Sequence, residues 1–200
     1  MLTPPEDLCL TYANTRFWRG RGTPTETLKN WSDLLDWLGG DGGVQAATIE
    51  TIRAWASPRE ADAERLYAEA IEMRELLYEL FRAAAEGVTV PVTKLGALNH
   101  SLERAPPRRR LVPADGGFAW DVHDGAPTVP SLLAPVLWSA GDLLTRLDQR
   151  RVRRCADDEC LWLFIDHSKG RTRRWCDMKA CGNRAKSRRH YLRSRSAAAD

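Results

Sequence analysis

Four of the five cysteines carry the chemistry most legible in this chain. Cys155 and Cys160 form one pair and Cys176 and Cys181 a second, each with four intervening residues and with fifteen residues between the pairs. Two thiolate pairs at such spacing satisfy tetrahedral zinc, and four sulfur ligands leave no position open for a substrate or a reactive water. The pattern therefore predicts Zn(2+), one per chain, in a structural role. His167 or His190 could replace a cysteine, but neither is needed and neither is better spaced. Disulfides would require an oxidising compartment, to which nothing in the sequence points. Cys9 stands alone and reads as a small buried apolar residue.

A segment of about forty residues buries too little apolar surface to fold alone, so metal binding must supply the missing stability. Between the pairs, "LWLFID" reads as a strand, "HSKG" as a turn with Gly170 at positive φ, and "RTRRW" as a returning strand. Knuckle, β-hairpin and helix in that order predict a treble-clef-like finger. From Gly182 onward the chain suits a helix. Arg184, Arg188, Tyr191 and Arg195 share one flank, while Lys186, Arg189 and Arg193 share the other. Lys169, Arg171, Arg173 and Arg174 extend the same charge. Asp177 is the one acid between residues 168 and 195, so the cations lack partners for i,i+4 pairing. Phosphates would relieve that repulsion, which makes nucleic acid the expected partner. The Arg184 fork suits guanine or phosphate, and it suits bracing of the finger equally well. Asn183 is expected to hydrogen-bond locally.

The run "CGNR" at 181–184, preceded by "WCDM" and followed by "AKSRRHY", resembles the CGNR zinc-finger family of bacterial transcription regulators. In that family the finger follows a helical ABATE domain, and "LCLTYANTRFW" leading to "WSDLLDWL" looks like the start of one. The resemblance covers essentially the whole chain. It implies that Cys155, Cys160, Cys176 and Cys181 bind zinc, that Asn183 and Arg184 are signature residues, and that the basic helix meets double-stranded DNA. It also implies a cytoplasmic, nucleoid-associated bacterial protein.

Composition agrees with a two-part chain. Residues 151–200 hold 14 Lys/Arg against 6 Asp/Glu, whereas residues 1–150 hold 16 against 21. An acidic body thus carries a basic end. Helical spacing in the body predicts a mostly α-helical domain over 1–149, followed by the finger at 150–195 and a disordered tail at 196–200. Helices are expected over 5–15, from a Thr25 N-cap through Leu38, over "VQAATIETIRAWA", and from a Ser57 cap with Pro58 at the first position to Gly87. Another is expected over "VPVTKLGALNHSLERA" and a last one over "TVPSLLAPVLWSAGDLLTRLDQRR", with Gly141 its weak point. "RRRLVPADGGFAWDV" reads as a small β-hairpin around Asp-Gly-Gly, its arginines suiting an edge strand or a phosphate backbone.

The body shows no phosphate loop, dinucleotide fingerprint or nucleophile motif. His100 and His123 lack partners at a recognisable spacing, and Glu64, Glu69, Glu72, Glu75 and Glu79 run along a helix as solvent-facing carboxylates. No enzymatic role is expected. Asn14, Arg16, Trp37 and Trp120 are candidates to line a pocket for a small-molecule effector, with core packing and helix capping as the alternative. The apolar stripe of helix 58–86 suits either the core or a homodimer interface. RNA or a protein partner is left open beside DNA, because phosphate contacts do not tell one nucleic acid from another.

Overall fold

The computed structural model describes residues 7–108, 110–114, 117–121, 125–146 and 151–196. It is mostly α-helical, with three two-stranded antiparallel sheets. The short helix α1 (Leu8–Ala13) is apolar nearly all round and is buried except at Thr11, as such a composition requires. It packs between α4 (Glu60–Glu86) and α7 (Ala134–Thr145). The Tyr12 hydroxyl donates to the Ala70 carbonyl at 2.7 Å, and the Cys9 amide donates to Ser139 Oγ at 3.1 Å. Burial pushes the Cys9 thiol up to about 12, so it stays protonated.

The long α4 is the spine. Leu66, Ala70, Leu77, Leu80 and Phe81 recur at helical spacing and face inward, so these residues are core. The helix stops at Gly87, whose φ of 69° supplies the left-handed cap. Around it pack α2 (Trp31–Gly40), α3 (Ala46–Ala56), α5 (Val92–Arg104) and α6 (Val129–Leu132). A first sheet joins β1 (Arg16–Phe17) to β2 (Thr25–Glu26); the second, β3 (Leu111–Ala114) with β4 (Gly117–Trp120), is the expected hairpin.

Several boundaries differ from expectation for local reasons. Thr25 lies in β2 and caps nothing; α2 begins after Asn30, whose Oδ1 accepts the Asp33 amide at 2.9 Å. Ser57 closes α3, its amide bonded to the Arg53 carbonyl, and Arg59 N–H returns to Ala56 in a tight turn before α4 starts. The last expected helix splits at Leu133, with Pro135 opening α7, and Gly141 lies inside that helix near Leu102.

Glu75 is not the solvent carboxylate its helix position suggests. Arg74 is only 1% exposed and sends two nitrogens to the Glu26 carboxylate at 2.6 Å each and Nε to Glu75 at 2.9 Å. Arg19 forks onto the other side of Glu75 at 2.6 and 3.1 Å. Each buried charge thus has a partner, without which it would be strongly destabilising. Burial alone would raise the Glu75 pKa, but Arg19 and then Arg74 hold it below the usual carboxylate range.

The basic end folds onto this body. β5 (Val152–Arg154) pairs antiparallel with β6 (Leu163–Ile165), and Val152, Leu163 and Ile165 join the same core as the helices. The Asn14 carboxamide takes a strand's place beside β6. Its Nδ2 donates to the Leu163 carbonyl at 2.8 Å, and its Oδ1 accepts the Leu163 amide at 3.0 Å. Residues 147–150, where composition changes, and 197–200 of the expected tail lie outside the described residues.

Candidate metal centre and nucleic-acid interface

Two elements set three of the four thiols, and Cys176 lies in the loop between them. The β5–β6 hairpin carries the loop with Cys155 and Cys160, and a π-helical turn (Met178–Gly182) carries Cys181 directly into α8 (Asn183–Ser196). Asp177 caps that turn, its carboxylate accepting the Ala180 amide at 2.7 Å. The hairpin differs from the expected one. Its partner strand lies upstream of the first cysteine, and residues 171–175 form no strand. The buried Asp166 carboxylate explains this: it takes the amides of Ser168 at 2.9 Å and Arg173 at 3.0 Å, withdrawing them from any ladder. Arg171 rather than Gly170 then adopts positive φ, at 50°.

The four sulfurs lie within 4.8 Å of one another, with Cys155, Cys160 and Cys181 buried and Cys176 partly exposed. Cys176 Sγ is 3.6 Å from Cys160 Sγ and 3.7 Å from Cys181 Sγ. Zinc–sulfur bonds of about 2.3 Å in a tetrahedron give edges of about 3.8 Å, so the donor set fits one tetrahedral ion. The protons point the same way. Hydrogen bonds from Cys160 and Cys176 pull the Cys155 thiol far down, the same contacts push Cys176 up, and burial with Cys160 beside it raises Cys181 to about 12. Four such thiols do not ionise together unless a cation neutralises them.

Two family models match the chain in succession. Residues 6–146 match ABATE, described as "Putative stress-induced transcription regulator", and residues 151–194 match the CGNR zinc finger. The chain belongs to the ABATE family. No curated protein matches it. The ABATE and finger matches meet where the hairpin β5–β6 docks, and signature residues take part in the joint. Arg184 stacks on the Trp18 indole at 4.3 Å and pairs with Asp157 at 3.4 Å, while Arg21 stacks on the same indole at 4.0 Å and pairs with Glu159 at 2.9 Å. Gly20 N–H donates to the Glu159 carbonyl at 3.1 Å, and a Cβ at Gly20 would sit 1.7 Å from the Asp158 carbonyl oxygen. Trp18 itself holds φ at 55°, a left-handed geometry that ordinary side chains avoid. Asn183 is exposed at the start of α8, its amide bonded within the preceding turn.

The expected cationic residues divide in two. Lys186 and Arg188 on α8 are exposed, as are Arg171 and Arg174 in the loop before it. Arg173 turns inward, stacking 4.7 Å from Phe164 and donating to the carbonyls of Trp175 and Cys176. The side chains of Arg189 and Arg193 lie outside the described residues. A groove of about 530 Å³ is lined by Arg174, Arg184 and Arg188 together with Asp157, Asp158 and Glu159. The acids lie between Cys155 and Cys160 on the knuckle, and charge counting along the sequence did not set them beside the basic helix.

The four pocket candidates are not brought together. Asn14 and Trp37 line one cleft, but Asn14 is committed to β6. Arg16 lies in β1 and pairs with Glu75 at 3.6 Å, and Trp120 stands on β4 opposite Leu111. His123 is outside the described residues. Among the described residues, no helix is long and apolar enough to cross a membrane.

Proposed function

We propose that this chain is a zinc-dependent DNA-binding regulator whose finger is held in fixed orientation by its helical body. The observation that carries the reading is the continuity of Cys181, through the π turn, into a helix with exposed Lys186 and Arg188. Cys155, Cys160, Cys176 and Cys181 hold one structural zinc, and the sulfur spacing supports that assignment. A bound zinc would supply folding stability and no reaction step, since four thiolates fill its coordination. Lys186 and Arg188 face the duplex, Arg171 and Arg174 extend the contact onto the adjoining loop, and Arg189 and Arg193 add contacts from the same helix. Arg173 and Arg184 act as braces, because both guanidiniums are already engaged. The ABATE and CGNR matches support a regulatory role.

The test is selection of fragments from sheared genomic DNA by the full, zinc-loaded chain at near-physiological salt, with structured RNA as competitor. A recurring enriched sequence is expected. Loss of all DNA to the RNA competitor, or enrichment of nothing, would overturn the DNA reading. Cys176→Ala should bind no metal and no DNA. Normal DNA binding by a metal-free Cys176→Ala chain would sink the proposal.

A further inference from the structure

A second feature lies at the joint between body and finger, away from the basic helix. A cleft of about 650 Å³ opens there, within the range of small-molecule sites and at the kind of junction where they form. Its walls include Trp37, Phe17, Trp162 and Phe164, and its acids are Asp7 and Asp41.

Each indole packs against a neighbouring ring. Trp37 packs 4.9 Å from the buried Tyr12 ring, and Trp162 packs 5.0 Å from Phe17. They are therefore platforms already in position, and ordering them would cost a ligand little. Neither carboxylate has a hydrogen-bond or ion-pair partner among the described residues. Asp7 stands at the N-cap of α1 without capping it, and Asp41 closes α2 through its backbone alone. The one arginine in the lining, Arg173, already donates to two carbonyls and stacks on Phe164. The cleft thus offers aromatic faces and two carboxylates without partners among the described residues.

We infer that this cleft binds an organic cation with a flat apolar body: the ring lies against Trp37 and Trp162, and an ammonium group is drawn to Asp7 and Asp41. Aromatic faces attract cations as well as apolar surface, and anions of the same shape meet two like charges. One wall belongs to the body and the other to the finger, so an occupant would fasten the two together. The site stands independently of the DNA reading.

The experiment is calorimetric titration of the full, metal-loaded chain with tryptamine and, separately, with indole-3-acetate, which carries the same ring with the opposite charge. Saturable binding of tryptamine is expected, with indole-3-acetate at least about tenfold weaker. The double variant Asp7→Asn, Asp41→Asn should keep its melting temperature and lose about tenfold in tryptamine affinity. Three results would each overturn the inference: no saturable tryptamine binding up to millimolar concentration, equal binding of the two ligands, or unchanged tryptamine affinity in the double variant. The comparison of the two ligands on the unmutated chain decides the matter even if the variant folds poorly.

Discussion

Glu75 and Arg74 carry like weight in the sequence with nine other charged residues of α4, yet they lie at the heart of the body. Arg19 and Arg74 flank the Glu75 carboxylate, and its pKa is depressed as a result. A depressed carboxylate stabilises the fold above its unfolded pKa, and that contribution is lost as pH falls through the lower folded value. Thermal unfolding measured from pH 7 down to about pH 3 should show a falling midpoint over the acid limb, below the ordinary Glu pKa of about 4.3. Glu75→Gln should start lower and show a shallower fall there. A variant with an acid limb as steep as the parent's would place the effect elsewhere. The four cysteines were readable at this scale because their spacing is local and their chemistry specific. The Glu75 network was not, since its members are 48 and 56 residues apart in the chain and nothing nearby distinguishes them.

At the level of elements, α8 and the 18–21 loop form one joint, and its two arginine classes separate by experiment. Arg184→Ala removes a stacked guanidinium from Trp18 and a partner from Asp157, so it should lower stability by about 1 kcal/mol in denaturant unfolding. Arg188→Ala should leave stability unchanged, weaken DNA binding on most sequences and flatten its salt dependence by about one unit. If the two variants behaved alike in both measurements, brace and contact would not be distinct. Gly20→Ala should loosen the joint further, because its new methyl group would collide with the Asp158 backbone, and backbone cannot swing aside as a side chain can. Element types were largely legible, and their ends less so. Thr25 and Ser57 have the chemistry of helix caps but answer to other partners, Thr25 to β1 and Ser57 to the end of α3. The returning strand expected at 171–175 failed for one reason: a single buried carboxylate, Asp166, captures the amide a ladder would use. Such capture depends on a fold already formed, and residue spacing does not reveal it.

For the whole molecule, finger and body share a core. Val152, Leu163 and Ile165 are nearly inaccessible among the helices, and each such aliphatic side chain contributes about 2 kcal/mol. Chelating the metal should therefore lower the melting temperature of the helical signal as well as unfold the finger. A helical transition indifferent to chelator would show the two parts to be separable. The composition shift near residue 150 marks a change of surface charge, and it hides this continuity because the buried faces on either side are equally apolar. The carboxamide of Asn14 has a practical consequence here. It recognises only main-chain atoms of residue 163, so it would greet any sequence that presents a strand at that height. Finger cassettes exchanged among relatives should graft onto this carrier without regard to the residue at that position. The same cassette moved to a carrier lacking the asparagine would arrive with an open strand edge, and such an edge invites aggregation.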